Sequence, residues 1–179
     1  MSREHGSRAV SAGRGDATGD RALHPPITLR PATAGDADLL LAWANDPETR
    51  AASFRPEPIP RDDHVRWLAA RLASPRSRVL IGEVDGPVGQ VRFELAADGA
   101  AEIGVVVAPE RRGEGLASEL LHAAVDAART DSAFPVTRFI ARIRVENTAS
   151  IRAFGRAGFR LESEGTCDGS PCVVLELAA

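Results

Sequence analysis

Val105-Val-Val-Ala-Pro-Glu-Arg-Arg-Gly-Glu-Gly-Leu-Ala117 is the stretch on which the fold turns. An apolar run of β type breaks at Pro109, passes through Arg112-Gly113-Glu114-Gly115, and enters a helix with apolar positions at Leu116, Leu120, Leu121, Ala124, Val125 and Ala128. That spacing places them on one helical face. A glycine-rich turn at a helix start leaves backbone N–H groups unpaired at the positive end of the helix dipole, where phosphate oxygens bind. A Walker loop would need Gly-Lys-Ser/Thr and a dinucleotide fingerprint Gly-x-Gly-x-x-Gly; neither is present. The competing reading is a strand–turn–helix corner made by glycines, and the rest of the chain decides between the two.

A chain of 179 residues, 44% apolar, is enough for one substantial core. Its net charge of −3 comes from 22 basic and 25 acidic residues that are interspersed, which gives no nucleic-acid surface. Residues 1–24 are rich in Gly, Ser, Arg and Asp and are expected to form a disordered tail, with a single domain over 25–179. No apolar run is long enough for a signal sequence or a membrane span, so a cytoplasmic protein is expected. Cys167 and Cys172 flank a hairpin turn at 168–171 and either face each other or remain thiols; the compartment favours free thiols. Their spacing lacks a second ligand pair, and no metal is expected.

Along the chain, a strand is predicted at 27–30. A Thr33-x-x-Asp36 capping box then opens a helix through Leu39, Leu40 and Trp43. A helical turn at 47–53, an extended link at 55–60 and a helix at 61–72 follow. Strands are predicted at 78–84, 88–95 and 101–107, with Asp85-Gly86 and Asp98-Gly99 as hairpin turns. A helix at 113–129, a strand at 137–144, a helix at 147–157 and a hairpin at 159–177 complete an α/β order of β-α-α-α-β-β-β-α-β-α-β-β, with a mixed central sheet of about seven strands flanked by helices.

The loop Arg112-x-x-Gly115-x-Ala117 resembles the Arg/Gln-x-x-Gly-x-Gly/Ala pyrophosphate loop of the Gcn5-related N-acetyltransferases (GNAT). A second motif, Asn147-x-x-Ser150-x-x-x-Phe154-x-x-x-Gly158-Phe159, resembles the downstream motif of the same family. The resemblance covers 27–177 and implies the GNAT fold with acetyl-CoA as cofactor. The acceptor half is Trp43-Ala-Asn45-Asp46-Pro47, Arg50, Ser53-Phe54, Ile59, His64, Trp67, Ile81 and Gly89-Gln90-Val91-Arg92-Phe93. It resembles the acetyltransferases of the pseudaminic acid pathway, which act on a UDP-linked 4-amino sugar.

The resemblance implies that the loop Arg111, Arg112, Gly113, Glu114, Gly115, Leu116 and Ala117 holds the pyrophosphate, chiefly through backbone N–H groups, with Arg112 adding a charged contact. Val105, Val106 and Val107 would pair with the pantetheine arm, aided by Asn147 and Phe154. Gly104 would form a bulge that opens a slot, with an N–H near Val106 or Val107 polarising the acetyl carbonyl. Glu102 is the candidate base, with His64 the alternative. Arg50, Arg92, His64 and Glu102 are candidate acceptor contacts. The family's usual acid is a tyrosine at the position of Phe154, and the chain contains none; Ser150 or a water held by Asn147 would supply that proton instead. The expected reaction is direct acetyl transfer to a primary amine of a small molecule, an amino sugar first, without nucleic acid or membrane; a homodimer is compatible with it. The rivals are a protein N-terminal acetyltransferase of the ribosomal-protein type, an aminoglycoside-modifying enzyme and a non-catalytic acyl-CoA-binding module. A peptide acceptor predicts an open groove, whereas a nucleotide sugar predicts a closed basic pocket with Arg50 and His64 inside.

Overall fold

The computed structural model describes residues 25–179, so the tail expected over 1–24 lies outside the described residues. Strand β1 (Thr28–Pro31) leads through a short 3-10 turn into α1 (Ala37–Asn45), α2 (Pro47–Ala52) and α3 (Arg61–Ala73). Three antiparallel strands follow: β2 (Ser77–Glu83), β3 (Pro87–Leu95) and β4 (Ala100–Val107). Then come α4 (Leu116–Thr130), β5 (Arg138–Arg144), α5 (Thr148–Arg156), β6 (Arg160–Cys167) and β7 (Ser170–Ala178). The seven strands form one mixed sheet in the order β1-β2-β3-β4-β5-β7-β6, in which only β4 and β5 run parallel. The expected element order and mixed seven-stranded sheet are therefore present.

Local chemistry accounts for the elements. The Thr33–Asp36 capping box forms: the Thr33 N–H donates to Asp36 Oδ2 at 2.8 Å. Asp36 also takes two bonds from the Arg30 guanidinium, which hold its carboxyl well below the usual carboxylate range. The turns at Asp85-Gly86 and Asp168-Gly169 place both residues at positive φ, the conformation that Asp-Gly supplies in two-residue hairpins. Helix α4 begins at Leu116 rather than at 113, because Gly113 and Gly115 have φ of 84° and 82°, which a right-handed helix cannot contain.

Strand alternation sends side chains to two apolar layers. On one face Val91, Phe93, Ala101 and Ile103 pack against Leu120, Leu121 and Val125 of α4 and Phe154 of α5. On the other, Val79 and Ile81 meet Leu40 and Trp43 of α1 and Leu68 of α3. Helices α1 and α3 pack on each other, α3 over β2 and α1 against β4. Strand β6 is an edge, exposed along nearly its whole length, with a register irregularity between Leu161 and Ser163.

Cys167 and Cys172 are joined by a disulfide, which overturns the expectation of free thiols. The two-residue turn brings their Cα atoms to 5.8 Å, within the span such a bond needs; the compartment argument had no access to that proximity.

Gly89 on β3 has no room for a side chain: a Cβ there would lie 2.5 Å from the Val106 carbonyl oxygen and 2.8 Å from Leu120 Cδ1. Relieving the first contact means moving the β4 backbone. Gly89→Ala is expected to cost about 1–3 kcal/mol, in the range of other overpacked cores, and to lower the urea midpoint at unchanged slope.

Candidate active site

The site is built where two strands part. Strands β4 and β5 pair only from Ala100–Glu102 against 138–140, although β4 continues to Val107 and β5 to Arg144. The β3–β4 ladder runs without interruption through Arg92–Gly104 to Gly89–Val107, and the Ala108 N–H donates to Val88 O at 2.9 Å. In an antiparallel ladder such pairs alternate, so Gly104 and Val106 point their backbone groups at β3. Val105 and Val107 point theirs into the opening, past the end of the β4–β5 pairing. The candidate polarising N–H is therefore that of Val107, with Val105 beside it, and not that of Val106. Nor does Gly104 form the expected bulge: its register with Arg92 is unbroken.

At the end of β4 the chain turns at Pro109–Arg111 into the glycine loop. A Cβ at Gly113 or Gly115 would meet no atom within 4 Å, so both positions face open space at the start of α4. The first-turn N–H groups of the helix, including those of Leu116 and Ala117, have no intrahelical acceptors. The side chains of the loop point elsewhere. Arg111 pairs with Glu114, Nη2 to Oε2 at 2.8 Å. Arg112, expected to face a phosphate, instead reaches back to α2, donating to Asp46, to Glu48 at 3.0 Å and to Thr49 Oγ1 at 2.9 Å. Asp46 also accepts from the Thr49 N–H as the cap of α2, and these bonds, the Arg112 bond foremost, lower its pKa. The loop therefore offers backbone donors rather than free guanidinium groups.

Helix α2 is tied down at its other end by Arg144 of β5, which donates to Ala51 O and Ser53 O at 3.1 and 3.2 Å. A cavity of about 320 Å³ lies between this helix and the start of α5, lined by Glu48, Ala51, Arg144 and Asn147 among others. Asn147 caps α5, accepting the Ser150 N–H at 3.1 Å. Its side-chain oxygen is thus already engaged, and Ser150 sits in the same capping turn. Phe154 is 2% exposed and packs edge-on against Phe159, so its ring belongs to the core.

The outer sheet face beside the opening carries Arg92 and Glu94 of β3, Glu102 and Gly104 of β4 and Arg142 of β5. Arg142 donates to Glu102, and Arg71 of α3 donates to Glu94 at 2.8 Å. Arg92 lies over Gly104 and 6.0 Å from the Trp67 ring. It reaches solvent on the floor of this cleft; desolvation by the surrounding protein lowers its pKa, helped by the nearby Arg71 and Arg50 charges and opposed by Glu102 and Glu94. The structure thus brings Glu102 and Arg92 together. Arg50 is near enough for its charge to act on Arg92, but its guanidinium is engaged elsewhere, and His64 lies buried behind Trp67. His64 is 3% exposed, with its Nε2 lacking a hydrogen bond and its ring against Trp67. The Arg50 guanidinium holds the following link, donating to Ser53 Oγ at 2.9 Å and to the carbonyls of Arg55 and Glu57.

Sequence reasoning missed Arg142 and Arg144; the signal was the period-two spacing in Arg138-Phe-Ile-Ala-Arg-Ile-Arg144, which sets arginines on one face of β5. All 22 basic residues of the chain are arginine.

Residues 27–160 match the family described as acetyltransferase (GNAT) domain. The uncharacterized N-acetyltransferase p20 of Bacillus licheniformis is 28% identical over 144 residues, 76% of this chain and 80% of that protein. The lysine N-acyltransferase MbtK of Mycolicibacterium paratuberculosis is 42% identical over 64 residues, 36% of this chain and 28% of that protein. Among solved structures, AAC(6′)-Ib in complex with ribostamycin and coenzyme A aligns with a TM-score of 0.75 at 22% identity, covering 86% of this chain and 94% of that one. The spermidine N-acetyltransferase from Vibrio cholerae in complex with CoA and spermine aligns at 0.75 and 20% identity, covering 86% and 95%. At these identities the solved structures establish a shared fold.

Burial depresses the His64 pKa, against smaller opposing effects from the Ala37 backbone and Asp38. The unfolded chain therefore binds more protons in the window between the two values. The contribution of His64 to stability is whole above its unfolded pKa, about 6.5, and is lost as pH falls toward the folded value. Melting scans are expected to show Tm falling from pH 7 to pH 5 in the native chain and falling less in His64→Gln. Losses from Asp36 and Asp46, whose folded pKa values are also depressed, begin only near the unfolded carboxylate value, about pH 4.

Proposed function

The chain belongs to the acetyltransferase (GNAT) family, and from that premise we propose that it is an acetyl-CoA-dependent N-acetyltransferase acting on a primary amine of a small molecule, with an amino sugar as the acceptor class. The observation that carries this reading is the open edge of β4 running directly into the cradle of Gly113 and Gly115.

When bound, acetyl-CoA supplies the activated acetyl thioester. The backbone N–H groups of Gly113, Gly115, Leu116 and Ala117 would hold its pyrophosphate, favoured by the α4 dipole. The inward backbone groups of Val105 and Val107 would pair with the pantetheine amides as an added strand does. The Val107 N–H would be the donor toward the acetyl oxygen. Glu102, on the acceptor side of the same strand, would take the ammonium proton directly or through water. Phe154 offers no acid, and a thiol of pKa about 8.5 leaves as the thiolate without one.

The acceptor class rests on the acceptor-half residues quoted above. The link after α2 is fixed to β5 through Arg144 and to the β6–β7 turn by an ion pair of 3.4 Å between Arg55 and Asp168. AAC(6′)-Ib, whose structure holds the aminoglycoside ribostamycin, shares the fold.

Release of free CoA thiol across UDP-linked amino sugars, aminoglycosides and N-terminal peptides tests the proposal. Turnover with an amino sugar is expected. Glu102→Gln should lower kcat by about 10²–10⁴, the usual share of a general base. Turnover confined to peptides would overturn the acceptor class, and acetyl-CoA binding without turnover of any amine would overturn the reaction.

The cradle makes a separate prediction. Gly115→Ala forces a side chain into the left-handed region at a cost of about 1–2 kcal/mol, so the KM for acetyl-CoA is expected to rise roughly tenfold with little change in kcat.

A further inference from the structure

The floor of the acceptor cleft carries more positive charge than its carboxylates neutralise. Glu94 already accepts from Arg71, and Glu102 from Arg142. Glu94 and Glu102 face each other across the two strands, and Arg92 stands two residues along β3, opposite Gly104; among the described residues it donates no hydrogen bond and joins no ion pair. Its one directional neighbour is the Trp67 ring, with the guanidinium carbon 6.0 Å from the centroid. The side chain is exposed, so its donors are open to a ligand.

Gly104 makes this placement possible. A Cβ there would lie 3.1 Å from Arg92 Nε, so the bare backbone lets the guanidinium lie across β4. Gly104 is one residue from Val105 and three from Val107 on a strand that rises about 3.3 Å per residue. The fork is therefore anchored about 3–10 Å along the strand from the acyl slot, the length of a small amine. A guanidinium presents parallel N–H donors that match carboxylate and phosphate oxygens, which an ammonium does not.

We propose that Arg92 binds an oxyanion group, carboxylate or phosphate, carried by the acceptor beside its amine, so that the substrate is an anion-bearing amine and not a polyamine. This rests on the acetyltransferase reading of the same site. Arg92 is a specificity-determining residue on this account, and Gly104 positions it.

The test compares matched amines in the thiol-release assay: lysine with lysinamide, and glucosamine 6-phosphate with glucosamine. The first pair isolates a carboxylate and the second a phosphate. In at least one pair the anionic member is expected to have a kcat/KM at least tenfold higher. That ratio should collapse toward one in Arg92→Gln, recover in part in Arg92→Lys, and fall in Gly104→Ala, whose methyl group displaces the guanidinium. Binding of inorganic phosphate to the CoA-saturated protein, followed by calorimetry, reads the anion site without turnover and should weaken at least tenfold in Arg92→Gln. Equal use of both members of each pair, or a ratio that Arg92→Gln leaves unchanged, overturns the proposal while leaving the acetyltransferase reading intact. Phosphate binding that depends on Arg92 in a protein that acetylates no amine supports the anion site and removes the reaction.

Discussion

Everything in this molecule is arranged around a parallel strand pair that stops after three residues. Hydrogen-bonding groups on an open strand edge must meet water or a ligand, since leaving them buried and unpaired is costly. The flanking ladders keep the opening from closing by slippage. Strand β4 is registered to β3 as far as Val107, and β5 is registered to β7 as far as Arg144. The apolar layer beneath fixes both pairs through Val91, Phe93, Ile103 and Phe139 against α4, α5 and one another. The gap is thus a stable feature of a well-packed sheet, and it delivers inward backbone groups to the same end of the strand as the glycine cradle.

The rim of the opening is held mainly by guanidinium groups. Helix α2 has six residues, too short to persist alone in water. Arg112 holds its start and Arg144 its end, from opposite sides of the gap. Arg50 then shapes the link that follows. Solvent-accessible pairs of this kind contribute little each, so the layer over the site is fixed in place yet inexpensive to move, whereas the sheet below it is not.

Much of this was legible in the sequence, and the parts that were not share one cause. The glycine loop, the α4 face, the capping box and the hairpin turns depend on neighbours within a few residues, and their spacing announced them. The roles of Arg112, His64 and Gly104 depend on partners far along the chain: Asp46 for the first, the α1–α3 packing for the second, and the cross-strand Arg92 for the third. A period-two pattern places Arg92 and Glu102 on one face but does not say that Glu102 will be engaged by Arg142 while Arg92 is left over. The disulfide belongs to the same class, because a turn signal predicts a hairpin without predicting which side chains meet across it.

The arginine-only make-up of the ion-pair framework has a chemical consequence. An activated acyl thioester reacts with whatever unprotonated amine comes near it. A lysine at the position of Arg92, Arg112 or Arg142 would place such a nucleophile within the protein itself. A guanidinium stays protonated at every physiological pH and does not attack carbonyl carbon. With no lysine anywhere in the chain, the charges that frame the cleft are inert toward the group handled there. The protein can surround an acyl donor with cations and still have no side-chain amine of its own to be consumed by self-acylation.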